Sequence, residues 1–138
     1  MARIKYDINL MKFISVFEAI SNARVKDAIE ENGTIIFIVE ENEIAKAIGR
    51  NGSNVKRLEG IIKKRIKVVE FSSDISDFIR NYVAPLEIGE IKNDNEHLTI
   101  KGNDMKTRSM LIGREGRNLN LLKSIASRYF DFKDIRVV

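Results

Sequence analysis

The chain has 138 residues, 43% apolar and 32% charged, the mixture of one folded domain or two very small ones rather than of a disordered segment. Zero cysteines exclude a disulfide framework, a thiol nucleophile and a thiolate zinc site, and a single histidine, His97, leaves little for metal binding or general-base catalysis. The net charge of +4 is mild, no apolar run reaches the ~18 residues of a membrane helix, and Met1–Ala2–Arg3–Ile4–Lys5 carries no secretory core, so a cytoplasmic protein free of membranes is expected.

In chain order, Phe13, Ile14, Phe17 and Ile20 recur at helical spacing. Two strands follow over 25–31 and 34–40, joined at Asn32–Gly33, the strongest short hairpin signal. A short helix is expected over 43–48 and a longer one over 53–64, with Val55, Leu58 and Ile62 on one face, then a strand over 65–71. The pattern then starts again. Ile75, Phe78, Ile79 and Tyr82 mark a helix capped near Ser73 or Asp74 and finished before Pro85. Strands over 87–92 and 97–101 flank a turn at 93–96, followed by helices over 104–112 and 117–129 and a strand over 134–138. Leu119, Leu122 and Ala126 fall on one face of the last helix. The order is α-β-β-α-α-β, twice, dividing the chain at 1–72 and 73–138. No Pro/Gly/Ser-rich linker separates the halves, so a rigid tandem is expected.

The halves share a motif at an offset of 64 residues. Ile48–Gly49–Arg50–Asn51–Gly52–Ser53–Asn54 stands against Ile112–Gly113–Arg114–Glu115–Gly116–Arg117–Asn118, with Ile, Gly, Arg, Gly and Asn in register. Each motif sits in a basic island. Residues 44–67 hold eight bases against one acid and 106–128 hold six against one, leaving the rest of the chain at net −8. Charge sorted in this way suits two surfaces that face phosphate.

A glycine that closes a helix is ordinarily a C-cap, which accounts for Gly49 and Gly113. It does not account for a second glycine three residues on, where the next helix begins. There a missing side chain lets a sugar–phosphate backbone approach, and free N–H groups at the helix start face the anion. Arg50 and Arg114 add charge suited to bidentate phosphate contact. Such a loop confers affinity with little sequence information. Asn54, Asn118 and the edge at residues 68–70 could offer hydrogen bonds to bases, which must be unpaired to enter the neighbouring groove. The candidate residues for binding a single-stranded nucleic acid, which the resemblance below makes RNA, are Lys46, Gly49, Arg50, Asn51, Gly52, Asn54 and Lys56 in the first half, and Gly113, Arg114, Glu115, Gly116, Arg117 and Asn118 in the second.

Helix–GxxG–helix with a three-stranded sheet resembles the KH domain in its type II topology, whose loop clamps about four nucleotides. Over essentially all 138 residues the chain is similar to the archaeal NusA-like transcription termination/antitermination factors, which are two consecutive KH domains. The resemblance implies an α+β fold with helices on one face of each sheet. It further implies an RNA-binding, non-enzymatic role on the nascent transcript, with RNA polymerase as a neighbouring partner and no cofactor. Bacterial members carry extra domains without a match in these residues, so the resemblance does not carry over any polymerase contact made through such segments. One departure is physical. Glu115 places a carboxylate where phosphate would approach, so the first loop is expected to dominate phosphate binding unless Glu115 turns away or pairs with Arg114 or Arg117.

Other readings draw on weaker signals. His97 sits in a polar turn region and reads as a surface residue, and Glu40, Glu41, Glu43, Asp131 and Asp134 could be imagined as nuclease metal ligands but read better as solvated, with Glu43 favouring a helix start. The phenylalanines fall on apolar stripes, so no aromatic platform for bases is expected. Gly60 inside a basic helix suggests a closely packed neighbour. Ribosome assembly or RNA processing is the alternative use of KH units, and a protein-binding scaffold is the alternative class.

Overall fold

The computed structural model describes residues 8–138; Met1–Lys5, considered above, lies outside them. Contacts divide the chain into two compact units, one ending at Ser72 and the other running Ser73–Val138. In the first, the elements are α1 (Ile8–Ser21), β1 (Val25–Glu31), β2 (Thr34–Val39), α2 (Ile44–Ile48), α3 (Ser53–Ile62) and β3 (Arg65–Glu70). In the second they are α4 (Ile75–Val83), β4 (Ile88–Asp94), β5 (His97–Gly102), α5 (Met105–Ile112), α6 (Arg117–Ala126) and β6 (Asp134–Val137). This is the α-β-β-α-α-β order in each unit.

Each unit has one three-stranded sheet, ordered β1-β2-β3 and β4-β5-β6. The hairpin strands are antiparallel, while the last strand runs parallel to the central one. A parallel neighbour cannot be reached by a tight turn and needs a crossover. In both units that crossover is the helix–loop–helix segment bearing the glycines.

Turn chemistry fixes the hairpins. Glu31 pairs with Thr34 around Asn32 (φ 51°) and Gly33 (φ 77°), the positive-φ pair that matches strand twist. The second hairpin is tighter than the expected 93–96 turn. Strand β4 continues until Asp94 pairs with His97, leaving Asn95 (φ 51°) and Glu96 (φ 67°) as the turn. Asn93 Oδ1 accepts the Glu96 N–H at 3.1 Å and holds this conformation, which Glu seldom adopts.

Strand alternation builds the core. Ile35, Phe37 and Val39 point to the helices and are fully buried with Phe17, Ala47 and Leu58. The rings of Phe17 and Phe37 meet edge to face with centroids 4.8 Å apart. Leu98, Ile100 and Ile135 are buried in the second unit, as are Leu122, Ile125 and Ala126 of α6. Helix α4 starts where Asp74 Oδ1 accepts the Asp77 N–H at 3.1 Å, and α5 where Asp104 Oδ1 accepts that of Thr107 at 2.7 Å. Helix α3 stops at Ile62, two residues early, because Lys63 adopts φ 61° and sends its N–H to Glu59 O. Helix α6 likewise ends at Ala126 rather than 129.

Gly60 overturns an expectation: a Cβ there would meet nothing within 4 Å, so no neighbour requires the glycine. Gly60→Ala should therefore raise unfolding stability by about 1 kcal/mol in urea titration, and a loss would show that close packing exists. Leu58, on the opposite face and 0% exposed, should cost ~2–5 kcal/mol as Leu58→Ala by the same measurement.

Candidate functional site

The two glycine loops adopt one conformation. Helix α2 closes with the Gly49 N–H donating to Ala45 O at 3.0 Å, and Gly49 then takes φ 77°, ψ 173°. A single 3-10 turn, Arg50–Gly52, follows, with Asn51 at φ 56°, ψ 29° and Gly52 at φ 73°, ψ 19° before α3 begins. In the second unit Gly113 has φ 74°, ψ 173°, Glu115 φ 57°, ψ 26° and Gly116 φ 75°, ψ 13°. Different residues thus arrive at dihedral angles that agree to within a few degrees. Asn tolerates the left-handed region well and Glu does not, so Glu115 holds its position at a cost that Asn51 escapes.

The glycines within each pair do different things. A Cβ on Gly49 would lie 2.8 Å from Asn54 Nδ2, and one on Gly113 2.7 Å from Asn118 Cγ. At Gly52 it would meet nothing within 4 Å, and at Gly116 only Asn120 Nδ2 at 3.5 Å. The first glycine is demanded by packing inside the loop. The second leaves bare backbone facing open space.

What crowds the first glycine is the repeated asparagine. Asn54 Nδ2 donates to Lys46 O at 2.9 Å, and Asn118 Nδ2 to Met110 O at 2.8 Å, tying the start of the second helix to the end of the first. Both are candidates for contacting bases, and each commits one amide donor to bracing the loop. Recurrence of Asn five residues after the first glycine is the signal from which this bond could have been read. The backbone donors also differ from expectation. The N–H groups at the helix start are occupied, Gly52 donating to Gly49 O at 3.1 Å and Ser53 to Arg50 O, with Gly116 and Arg117 bonded in the same way. Among the described residues, the N–H groups of Arg50 and Asn51, and of Arg114 and Glu115, make no backbone hydrogen bond. The unengaged donors therefore sit between the glycines, one step before the helix.

Around them the charge is unbalanced. Arg50, Asn51 and Lys56 are exposed, as are Arg114, Glu115, Arg117 and Asn118. None of Arg50, Lys56, Arg114 or Arg117 forms an ion pair with a described residue, and Glu115 pairs with neither neighbouring arginine. Lys46 is partly engaged, its Nζ 3.5 Å from Glu43 Oε2. Glu43 occupies the position before α2 yet makes no cap bond. Its Oε1 accepts the Arg24 N–H at 2.8 Å, which holds its carboxyl below the usual glutamate range; burial opposes this, and the charges of Lys46 and Arg24 assist it. The other carboxylates are dispersed. Asp134 pairs with Lys123 at 3.1 Å, and among the described residues no three His, Cys, Asp or Glu side chains gather as metal ligands would.

A model of the KH domain family matches residues 11–96. The chain is 34% identical over 139 residues to the "Probable transcription termination protein NusA" of Methanococcus vannielii, covering 99% of this chain and 80% of that protein. The protein of that name from Thermoplasma acidophilum is 31% identical over 141 residues, covering 99% and 97%. The chain belongs to the archaeal NusA-like family of KH-domain proteins. The crystal structure of APE1850 superposes on this NusA-like chain with a TM-score of 0.73 at 28% identity, over 96% of this chain and 99% of that one. The fold is two consecutive type II KH domains. Among the described residues of this family member no helix is long and apolar enough to cross a membrane.

Loop geometry ranks the glycine substitutions. Gly52→Ala should cost roughly 1–2 kcal/mol in denaturant stability, the strain of a left-handed residue, whereas Gly49→Ala adds a clash and should cost clearly more. Equal losses would remove the distinction. For Glu43, the folded-state pKa is depressed, so its contribution exists above the ordinary value near 4.5 and disappears as pH falls through the lowered one. The stability gap between wild type and Glu43→Gln should thus be open at pH 7 and close as titration proceeds below 4.5.

Proposed function

We propose that the chain binds single-stranded RNA through its two glycine loops and acts on the nascent transcript to modulate transcription termination or antitermination. The single observation behind this reading is a pair of loops with one backbone geometry, bare at the second glycine and flanked by cations without ion-pair partners. A phosphate approaching Gly52 or Gly116 meets no Cβ, and within reach are the unengaged N–H groups of the two residues between the glycines. Arg50 and Lys56, or Arg114 and Arg117, then supply the long-range attraction. Lys46 contributes less, since Glu43 already neutralises part of its charge. Gly49, Asn54, Gly113 and Asn118 belong to the site as its frame, holding the donors rather than touching the ligand.

RNA polymerase in elongation is the partner nearest to such a transcript, and the relatives' name, transcription termination protein, supports that setting. The loops are not equivalent. Asn51 is neutral and comfortable in its conformation, while Glu115 repels phosphate from a strained one, so the first unit carries most of the backbone affinity and the second extends and orients the strand.

Equilibrium binding to labelled single-stranded RNA tests this. Arg50→Asp/Asn51→Asp should lower affinity at least tenfold and flatten the dependence of log affinity on log salt, and Arg114→Asp should do so less; equal losses would sink the ranking. Glu115→Asn should act in the opposite direction, tightening RNA binding several-fold and raising stability by up to ~1 kcal/mol as strain is relieved. Wild-type binding unaffected by salt would end the reading altogether.

A further inference from the structure

The two units share a topology, and one row across the sheet face away from the helices differs sharply between them. In the first unit the register aligns Ile29 with Ile36 and Ile36 with Lys67. In the second the corresponding alignment is Lys92 with Thr99 and Thr99 with Arg136. Where one copy is mainly apolar, the other carries two cations around a hydroxyl. Adjacent strands stand about 4.8 Å apart, so this row spans roughly 10 Å. It borders a recess of about 760 Å³ that Lys133 also lines. Lys92, Lys133 and Arg136 are exposed, and none forms an ion pair with a described residue. Two carboxylates line the same recess: Asp134 is held by Lys123 at 3.1 Å, and Asp94 remains as the opposing charge.

We propose that this recess is a second phosphate-binding surface for RNA, separate from the glycine loop, resting on the RNA-binding reading above. A protein partner fits less well. The one apolar residue lining the recess is Leu98, 1% exposed and turned to the helices, so no apolar anchor is offered to an interface core. A polyanionic backbone needs none, because release of condensed counterions drives its binding to flexible cations. Phosphates recur along a strand at intervals that Lys92, Arg136 and Lys133 can follow on their long side chains. The surface is consequently one for length-dependent, sequence-independent contact. It engages strands longer than the about four nucleotides that one loop accommodates.

The test compares the full chain with Lys92→Gln/Arg136→Gln on a 20-nucleotide oligouridine (about five times one loop's span) and on a tetranucleotide. The variant should lose about tenfold affinity for the long strand, and its salt slope should shrink by about 1.4, the share of two phosphate contacts on a single strand. Tetranucleotide binding should be unchanged. Lys133→Gln alone should lower the slope by about 0.7, which keeps the test valid should the double variant fold poorly. Unchanged long-strand affinity and slope, with Arg50→Asp/Asn51→Asp still weakening binding, would overturn the surface and leave the loop reading standing. A wild type that binds neither RNA overturns both. Loss of poly-glutamate binding with RNA binding intact overturns the surface in favour of an acidic protein partner.

Discussion

One side-chain hydrogen bond underlies the geometry of both loops. An asparagine on the first turn of α3 or α6 reaches back to a carbonyl of the preceding helix, and its approach leaves no room for a Cβ on the first glycine. The bond costs little, since the carbonyl belongs to a helix end that lacks an internal partner. Its consequence is large. With the two helices pinned together, the four intervening residues are confined to a single tight turn, and positive φ at three of them follows. The exposed N–H groups between the glycines are a by-product of that confinement. A stretch of bare backbone is thus positioned by a side chain from the following helix.

The sheet supplies the other constraint. A third strand running parallel to the central one obliges the chain to cross over, and in each unit the crossover is built from two helices packed on one face. The buried faces of Leu58 and Leu122 keep the second helix against the sheet, and the loop therefore stands at the junction of two anchored helices rather than on a free connection. Glu43 adds a tether from the other side, linking the start of α2 to the Arg24 amide at the head of β1. The candidate site therefore sits on anchored elements.

Having the same fold twice separates what the architecture requires from what it permits. Gly49 and Gly113, Asn54 and Asn118, and the arginine of each loop answer to identical geometry. Asn51 and Glu115 show what is permitted: one conformation that carries a neutral amide in one unit and a carboxylate in the other. The row of Ile29, Ile36 and Lys67 against Lys92, Thr99 and Arg136 makes the same point on the sheet, where hydrogen bonding is satisfied by the backbone whatever the side chains are.

Much of this was legible in the residues. Helical spacing, the Asn32–Gly33 turn and the repeated Ile-Gly-Arg motif carry local physics that acts between neighbours in the chain, and element order, hairpin pairing and loop position follow from them. Details set by a few degrees of backbone rotation did not follow. The Asn95–Glu96 turn depends on an Asn93 bond that overrides the reluctance of Glu, and the destination of the Asn54 amide depends on where a helix end eight residues earlier comes to lie. Gly60, suspicious in sequence, meets only open space. The basic islands at 44–67 and 106–128 were visible because their charges are consecutive. Lys133 and Arg136 are close in sequence, but Lys92, far earlier on β4, became their neighbour only through strand register, since pairing across a sheet joins residues that no short sequence window contains.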